Sequence, residues 1–449
     1  DADDSRPDAD KAHMPAVSPP VPDNIAATGL AEATVEQILL KRLYFEGETV
    51  GRDLATLLGL QFSLIEPLLD NLKRTQHVMV KRSLGMGSVS SVFALSEHGR
   101  QVARDHLETN QYAGQVPVPM EQYAKVVEAQ RLESNWLTGE MLRDAYRHMV
   151  VSDDILSQIG PAVNSGRSFL IYGQPGNGKT YLAEALFNLQ SAPIYIPYAV
   201  ECMGQIIQVF DPIYHQPVDP PPPAEPSALL SLSAAVSDDL THDPRWVKCK
   251  RPFITSGGEL TLGMLDLSYN STSKVYDAPF QMKANNGIYL IDDFGRQKVA
   301  PTEVLNRWIV PMERRIDYLS FLTGGKARVP FETFLIFSTN LNPDQLGDEA
   351  FLRRIQYKMF LRSPDEQEFA NIFAGFAASK KLNHEPELIE RYIAKHYRNG
   401  KRRRRCQPRD VISHALDIIA FERREYKLTD DVLDHAFEST FLTVNHLED

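Results

Sequence analysis

The sequence predicts an α/β fold: a core of buried parallel strands, with a small domain of helices and a hairpin ahead of it. Three observations predict it. Ser168 to Tyr172 is a short apolar run, Gly173 to Thr180 reads Gly-Gln-Pro-Gly-Asn-Gly-Lys-Thr, and Tyr181 to Leu189 has helical spacing. Strand, glycine-rich loop and helix in that order is the context a phosphate-binding loop requires. Two further apolar runs, Gly287 to Asp293 and Phe334 to Asn340, end in two carboxylates and in an amide, the pattern of buried strands that deliver polar groups to one sheet edge. Ahead of these, three helical periodicities precede two strand-like runs and a closing helix.

Residues 1–24 are rich in Asp, Pro and Ala and lack apolar periodicity, which predicts a disordered leader. Over 25–113, Thr34 to Tyr44, Gly51 to Leu58 and Ser63 to Arg74 have helical spacing. His77 to Lys81 and Ser90 to Leu95 are strand-like around Gly85-Met86-Gly87, and Glu97 to Leu107 closes the unit. This order resembles a winged helix-turn-helix domain. Residues 24–113 carry nine Lys plus Arg against ten Asp plus Glu, whereas a phosphate-tracking face is clearly basic. Charge therefore favours docking of a protein over contact with DNA, which stays open as the alternative. Tyr112 to Met120 is extended by its prolines, and 114–134 is expected to be a linker.

The loop explains its own residue types. Gly173, Gly176 and Gly178, spaced by Gln174, Pro175 and Asn177, let backbone N–H groups turn toward a polyphosphate, and the next helix points its positive end at the same anion. Lys179 would reach the β- and γ-phosphates of ATP, and Thr180 would hold Mg²⁺. Gly-Ile-Tyr-Leu-Ile-Asp-Asp at 287–293 matches a Walker B strand. Asp292 would then hold the metal through water, and Asp293 would orient the attacking water.

With Phe351-Leu352-Arg353-Arg354-Ile355 and Gln407-Pro408-Arg409-Asp410 downstream, the set resembles the AAA+ ATPases across 135–449. The resemblance implies a nucleotide core over 135–362, a helical lid over 363–449, and assembly into a homo-oligomer, six subunits in the usual case. It assigns Asn340 as sensor 1, Arg354 as the arginine finger offered to a neighbouring subunit, with Arg353 as the alternative, and Arg409 as sensor 2. Most of the family has Glu at position 293. The Asp here sets its carboxylate back by about 1.5 Å, an error of a size that costs ~10²-fold in rate, so slow or partner-stimulated turnover is expected. Asp292-Asp293-Phe294-Gly295 also resembles the segment of helicase loaders and insertion-sequence ATPases.

An insertion is expected at 212–287, between a second-strand candidate at Pro193 to Pro197 and the Walker B strand. It holds the consecutive prolines Pro220 to Pro223, a stiff spacer, and Trp246 to Met282, which alternates as strands or a hairpin would around Gly257-Gly258. Tyr318 to Pro330 is expected to turn a hairpin at Gly324-Gly325, and Lys401 to Arg405 is a basic run suited to a solvated loop, nucleic acid or an acidic neighbour.

The bulk numbers set limits. A chain of 449 residues with 43% hydrophobic and 24% charged residues can bury a sizeable core. Its net charge of −11 opposes a general attraction to nucleic acid or anionic membrane. Cys202, Cys249 and Cys406 are scattered, without metal or disulfide spacing, and fit a reducing, cytoplasmic setting. No apolar run of about 18 residues predicts a membrane span. The chain is thus expected to be an Mg²⁺-dependent ATPase that remodels a protein client recruited by its N-terminal domain. The alternative is an ATP-regulated DNA-binding protein.

Overall fold

The computed structural model describes residues 17–133, 136–189, 192–218, 240–347, 352–397 and 401–441. The first unit comprises α1 (Glu32–Glu46), β1 (Thr49–Val50), α2 (Gly51–Leu58), α3 (Phe62–Arg74), β2 (Val78–Ser83), β3 (Ser91–Leu95) and α4 (Glu97–Thr109). β3 lies between β1 and β2 and is antiparallel to both. Leu39, Leu54, Ile65, Leu68 and Phe93 form its core. α2 stops at Gly59, whose φ of +67° is a left-handed conformation glycine adopts without strain. α4 starts where the Ser96 hydroxyl accepts from the Gly99 N–H.

The stretch expected to be a linker has structure of its own. It adds β4 (Val118–Pro119) and α5 (Met120–Ala129), whose Tyr123 and Val127 are buried. Apolar residues alternate with the prolines, so the extension that proline imposes becomes a sheet edge rather than a spacer. The leader also differs in part. Ser18 donates to the Thr241 carbonyl at 2.7 Å, and the Asp243 N–H donates to the Pro19 carbonyl at 3.0 Å. Residues 1–16 of that leader, and the prolines at 220–223, lie outside the described residues.

Next come α6 (Gly139–Ala145), α7 (Asp153–Ser165), β5 (Ser168–Tyr172) and α8 (Lys179–Glu184), which tightens into a 3₁₀ turn over Ala185–Asn188. β6 (Ile194–Pro197), β7 (Ala199–Cys202), β8 (Gln205–Gln208), β9 (Trp246–Cys249) and β10 (Phe253–Ser256) follow, then β11 (Ser268–Asn270), β12 (Val275–Asp277) and α9 (Phe280–Lys283). β13 (Ile288–Ile291), α10 (Pro301–Arg314), β14 (Ile316–Ser320), β15 (Lys326–Pro330), β16 (Phe334–Thr339) and β17 (Tyr357–Phe360) complete the core. The helices α11 (Glu366–Ser379), α12 (Leu388–Tyr397), α13 (Gln407–Glu422) and α14 (Asp430–Thr440) follow and share a core of Phe369, Phe373, Ile412 and Leu433.

The central sheet is ordered β10-β13-β16-β5-β17 with every pairing parallel. Successive side chains alternate faces. Phe169, Ile171, Leu290 and Ile336 pack toward α7 and α8, while Leu170, Tyr289, Ile291, Leu335 and Phe337 pack around Trp308 of α10. Both faces are covered, which is why these strands read as unbroken apolar runs.

Two expectations about the insertion change. Pro193 to Pro197 is a strand, but β6 pairs antiparallel with β9 outside the central sheet. β10 takes the edge position instead, although it lies inside the range 212–287. Its polar end is satisfied in place, the Ser256 and Tyr289 hydroxyls standing 2.8 Å apart, a cross-strand pairing that no local pattern signals. Gly257-Gly258 therefore follows a parallel strand, and the hairpin forms between β11 and β12. β12, β8, β7 and β4 extend it into a second five-stranded sheet. The hairpin of β14 and β15 forms as expected, turning at Gly324 with φ +89°. Among the described residues no helix is long and apolar enough to cross a membrane.

Candidate nucleotide site

Strands β5, β13 and β16 run parallel, so the residues after their carboxyl ends meet at one edge, where ligands of open α/β sheets bind. Gly173, Gly176 and Gly178 have φ of +150°, +81° and +82°. A Cβ on Gly173 would stand 2.5 Å from the Leu361 carbonyl oxygen, so close approach to the end of β17 requires glycine there. Asn177 is buried and donates to the Leu361 carbonyl and the Ser363 hydroxyl, both at 3.3 Å. The loop is thus pinned to its sheet from beneath.

Lys179, in the first turn of α8, is buried. Its Nζ donates to the carbonyls of Gly173 (3.0 Å) and Gln174 (3.1 Å) and to Asn340 Oδ1 (2.6 Å). Burial holds the ammonium below its usual pKa, opposed by the nearby Asp293 and Asp292. All three partners are neutral oxygens, so the charge is left for an anion. Asn340 also donates through Nδ2 to Asp293 Oδ1 at 2.9 Å, and one amide therefore ties the lysine to the second carboxylate. Asp293 is exposed and sits at φ +48°, unusual for a residue with a Cβ. Thr180 Oγ1 lies 2.9 Å from both oxygens of Asp292.

The residues present fit a magnesium nucleotide. A hydroxyl and a carboxylate in contact are hard oxygen donors, the kind that hold Mg²⁺ through few protein ligands. A Cβ on Gly178 would meet nothing within 4 Å, so the loop opens to solvent there.

The two arginines assigned by resemblance lie elsewhere. Arg354 pairs through Nε with Glu313 at 2.7 Å, and its carbonyl accepts from Ser168 Oγ at 3.3 Å, at the start of β5. The loop lies at the other end of that strand, roughly 13 Å away at 3.3 Å per residue. Arg353 and Arg354 line a shallow pocket with Arg167, Arg315 and Glu313. Arg409, in the first turn of α13, is exposed and pairs with Asp410 at 2.9 Å.

The C-terminal region instead touches the loop through residues that sequence reasoning did not assign. The Cys406 N–H donates to the Gly176 carbonyl at 2.9 Å, and a Cβ on Gly176 would lie 2.8 Å from Cys406 Sγ and 3.3 Å from Arg404 Cδ. Arg404 is exposed beside the loop. The rest of the basic run is largely paired within the chain. Arg403 meets Glu366 at 2.7 Å, Arg405 meets Glu368 at 3.2 Å, and Lys401 stacks over Phe437 and Phe441. The run itself was the only signal of this contact, and nothing in it singles out Arg404.

A domain family described as "Domain of unknown function (DUF8689)" matches residues 365–439, within the C-terminal helices. No curated protein matches the chain by sequence. Among solved structures, NtrX from Brucella abortus is 12% identical with a TM-score of 0.40, the match covering 69% of this chain and 61% of that one. Two RuvB mutants from Thermotoga maritima are 13% and 14% identical with TM-scores of 0.37 and 0.34, covering 65% and 69% of this chain and 70% and 73% of theirs. The match thus spans less than two thirds of NtrX. Likeness at this level carries no functional argument, and the fold stands on its own topology. It is a parallel α/β core with a glycine-rich loop at the carboxyl end of β5, followed by C-terminal helices.

Proposed function

We propose that this protein is an Mg²⁺-dependent ATPase that assembles with copies of itself and remodels a protein client recruited by its N-terminal, winged-helix-like domain. The observation that carries the reading is the linked set Lys179–Asn340–Asp293 beside Thr180–Asp292 at the carboxyl edge of the sheet. ATP bound with Mg²⁺ supplies a γ-phosphate open to attack by water. Lys179 exchanges its neutral oxygens for phosphate oxygens. Thr180 and Asp292 would hold the metal, and Gly173 to Gly178 would present backbone N–H groups to the phosphates. Asp293 accepts a proton from the attacking water, with Asn340 fixing its orientation. Arg404 stands where it can add positive charge from the lid.

Arg354 serves a neighbouring subunit, because it lies at the opposite edge of its own sheet. Completion of the pocket in trans ties turnover to assembly. Pairing of Arg403 and Arg405 with Glu366 and Glu368 weakens the charge argument for nucleic acid, and the protein client is preferred to DNA. The test compares binding of a fluorescent ATP analogue with phosphate release across protein concentrations. Lys179→Ala is expected to lose binding, and Arg354→Ala to bind normally while losing turnover. Turnover per chain that is independent of concentration and unchanged by Arg354→Ala would refute assembly-coupled hydrolysis.

A further inference from the structure

At the amino edge of the same sheet, facing away from the nucleotide loop, lies a cavity of about 540 Å³. Its size and lining are those of small-ligand sites, roughly 300–1,000 Å³ with apolar walls and a few polar groups. The walls come from Trp136, Val163 of α7, Phe187 in the turn after α8, and the strand starts Phe253, Ile288 and Phe334. Phe187 and Phe253 meet edge to face at 6.2 Å.

The charges around it do not balance. Among the described residues, Arg131, Lys250, Arg251 and Arg315 line the cavity with one carboxylate, Glu332, in a chain whose net charge is −11. Glu332 is committed: Arg131 Nε donates to it at 2.9 Å, with a second contact through Nη2. Arg251 donates to the carbonyls of Asn286 (2.7 Å) and Gln130 (2.9 Å), and its buried Nε has no partner among the described residues. Arg315 donates to the Gly166 carbonyl at 3.0 Å. Burial pushes the Arg251 guanidinium down to about 10, as desolvation does to a cation. Buried charges in proteins are ordinarily paired. Among the described residues Arg251 meets carbonyl oxygens and no carboxylate, and much of the space beside it is apolar.

We propose that this cavity binds a small amphipathic carboxylic acid, its apolar body against Trp136, Phe187 and Phe253 and its carboxylate among Arg251, Arg315 and Lys250. An apolar alcohol satisfies the walls but leaves the guanidinium unmatched. Inorganic phosphate does the reverse. The acid meets both demands, and a charge-assisted hydrogen bond of about 1.5–3 kcal/mol separates it from the alcohol. The site is independent of the ATPase reading, since it shares no residue with the nucleotide loop.

The probes are decanoate, decanol and inorganic phosphate, titrated calorimetrically into the full chain without nucleotide. Decanoate is expected to bind saturably, one per chain and at least tenfold more tightly than decanol, with phosphate failing to compete. Arg251→Met should erase the preference for decanoate over decanol, while Arg251→Lys retains part of it. Should Arg251→Met misfold by near-ultraviolet circular dichroism, Phe187→Asp places a repelling charge on the exposed rim instead. It is expected to weaken decanoate at least tenfold and to leave the fold intact. Equal affinity for acid and alcohol, uptake of many decanoate molecules without saturation, or decanoate affinity unchanged by the substitutions would overturn the proposal.

Discussion

The two edges of the central sheet are built on the same strands and use charge in opposite ways. At the carboxyl edge, Lys179, Asn340 and Asp293 form one linked set and Thr180 meets Asp292, so donors and acceptors are poised before any ligand arrives. At the amino edge, arginines gather around apolar walls, and the one carboxylate among the described lining residues, Glu332, is already held by Arg131. Preorganised groups belong to chemistry in which orientation sets the rate. An unmatched cation beside an apolar surface belongs to recognition of a complementary ligand. The two edges are joined by α8, which begins at Lys179 and continues into the turn bearing Phe187.

The contrast can be broken by substitution. The largest effect is expected from Arg354→Ala, which should lower phosphate release by about 10³-fold, the usual worth of an arginine finger, with nucleotide affinity unchanged. If binding falls instead, Arg354 acts within its own subunit and the two edges are not separate. Trp308→Ala removes the largest buried side chain on the α10 face and should cost about 3–5 kcal/mol in urea unfolding. The loss would be felt at both edges, because Trp308 packs on Tyr289 of β13 and Phe337 of β16, strands that run between them. Asn340→Ala should lower turnover by about 10²-fold at near-normal nucleotide affinity, and decanoate binding should stay as it was. Smallest is Arg403→Ala. Its pair with the exposed Glu366 is worth about 0.5 kcal/mol, and any steep salt-dependent DNA binding lost in that variant would reopen the nucleic-acid reading.

Legibility in the sequence followed the same division. The carboxyl edge could be read because a parallel strand and the polar residues that end it are contiguous. Ser168 to Thr180, Gly287 to Asp293 and Phe334 to Asn340 each carry strand and functional group together. The first helices and hairpin were legible for a similar reason, since local periodicity and the glycine turns mark their ends. The amino-edge cavity was not. Arg131 lies in a stretch expected to be a linker, Arg251 precedes a strand hidden inside an apparent insertion, and Glu332 follows a hairpin.

Replacement of the Pro193–Pro197 candidate by β10 has a related cause. Both segments are short, and the choice between them rests on pairing with β13, a contact between distant residues. Arg404 and Cys406 reach the loop because α13 packs in the helical C-terminal core, and no spacing within the basic run reveals which of its members faces Gly176.

By itself, then, the amino-acid sequence determined the phosphate loop, the buried strands, the carboxylates and amide at their ends, and the helices with the hairpin ahead of them. Each depends on neighbours within one or two turns or pleats. Tertiary structure alone decided which segment edges the sheet, which residues ahead of α13 meet the loop, where the arginines at 353 and 354 stand, and that Arg131, Arg251 and Arg315 converge on one cavity with apolar walls. Those outcomes depend on burial and pairing between segments far apart in the chain, which local pattern does not encode.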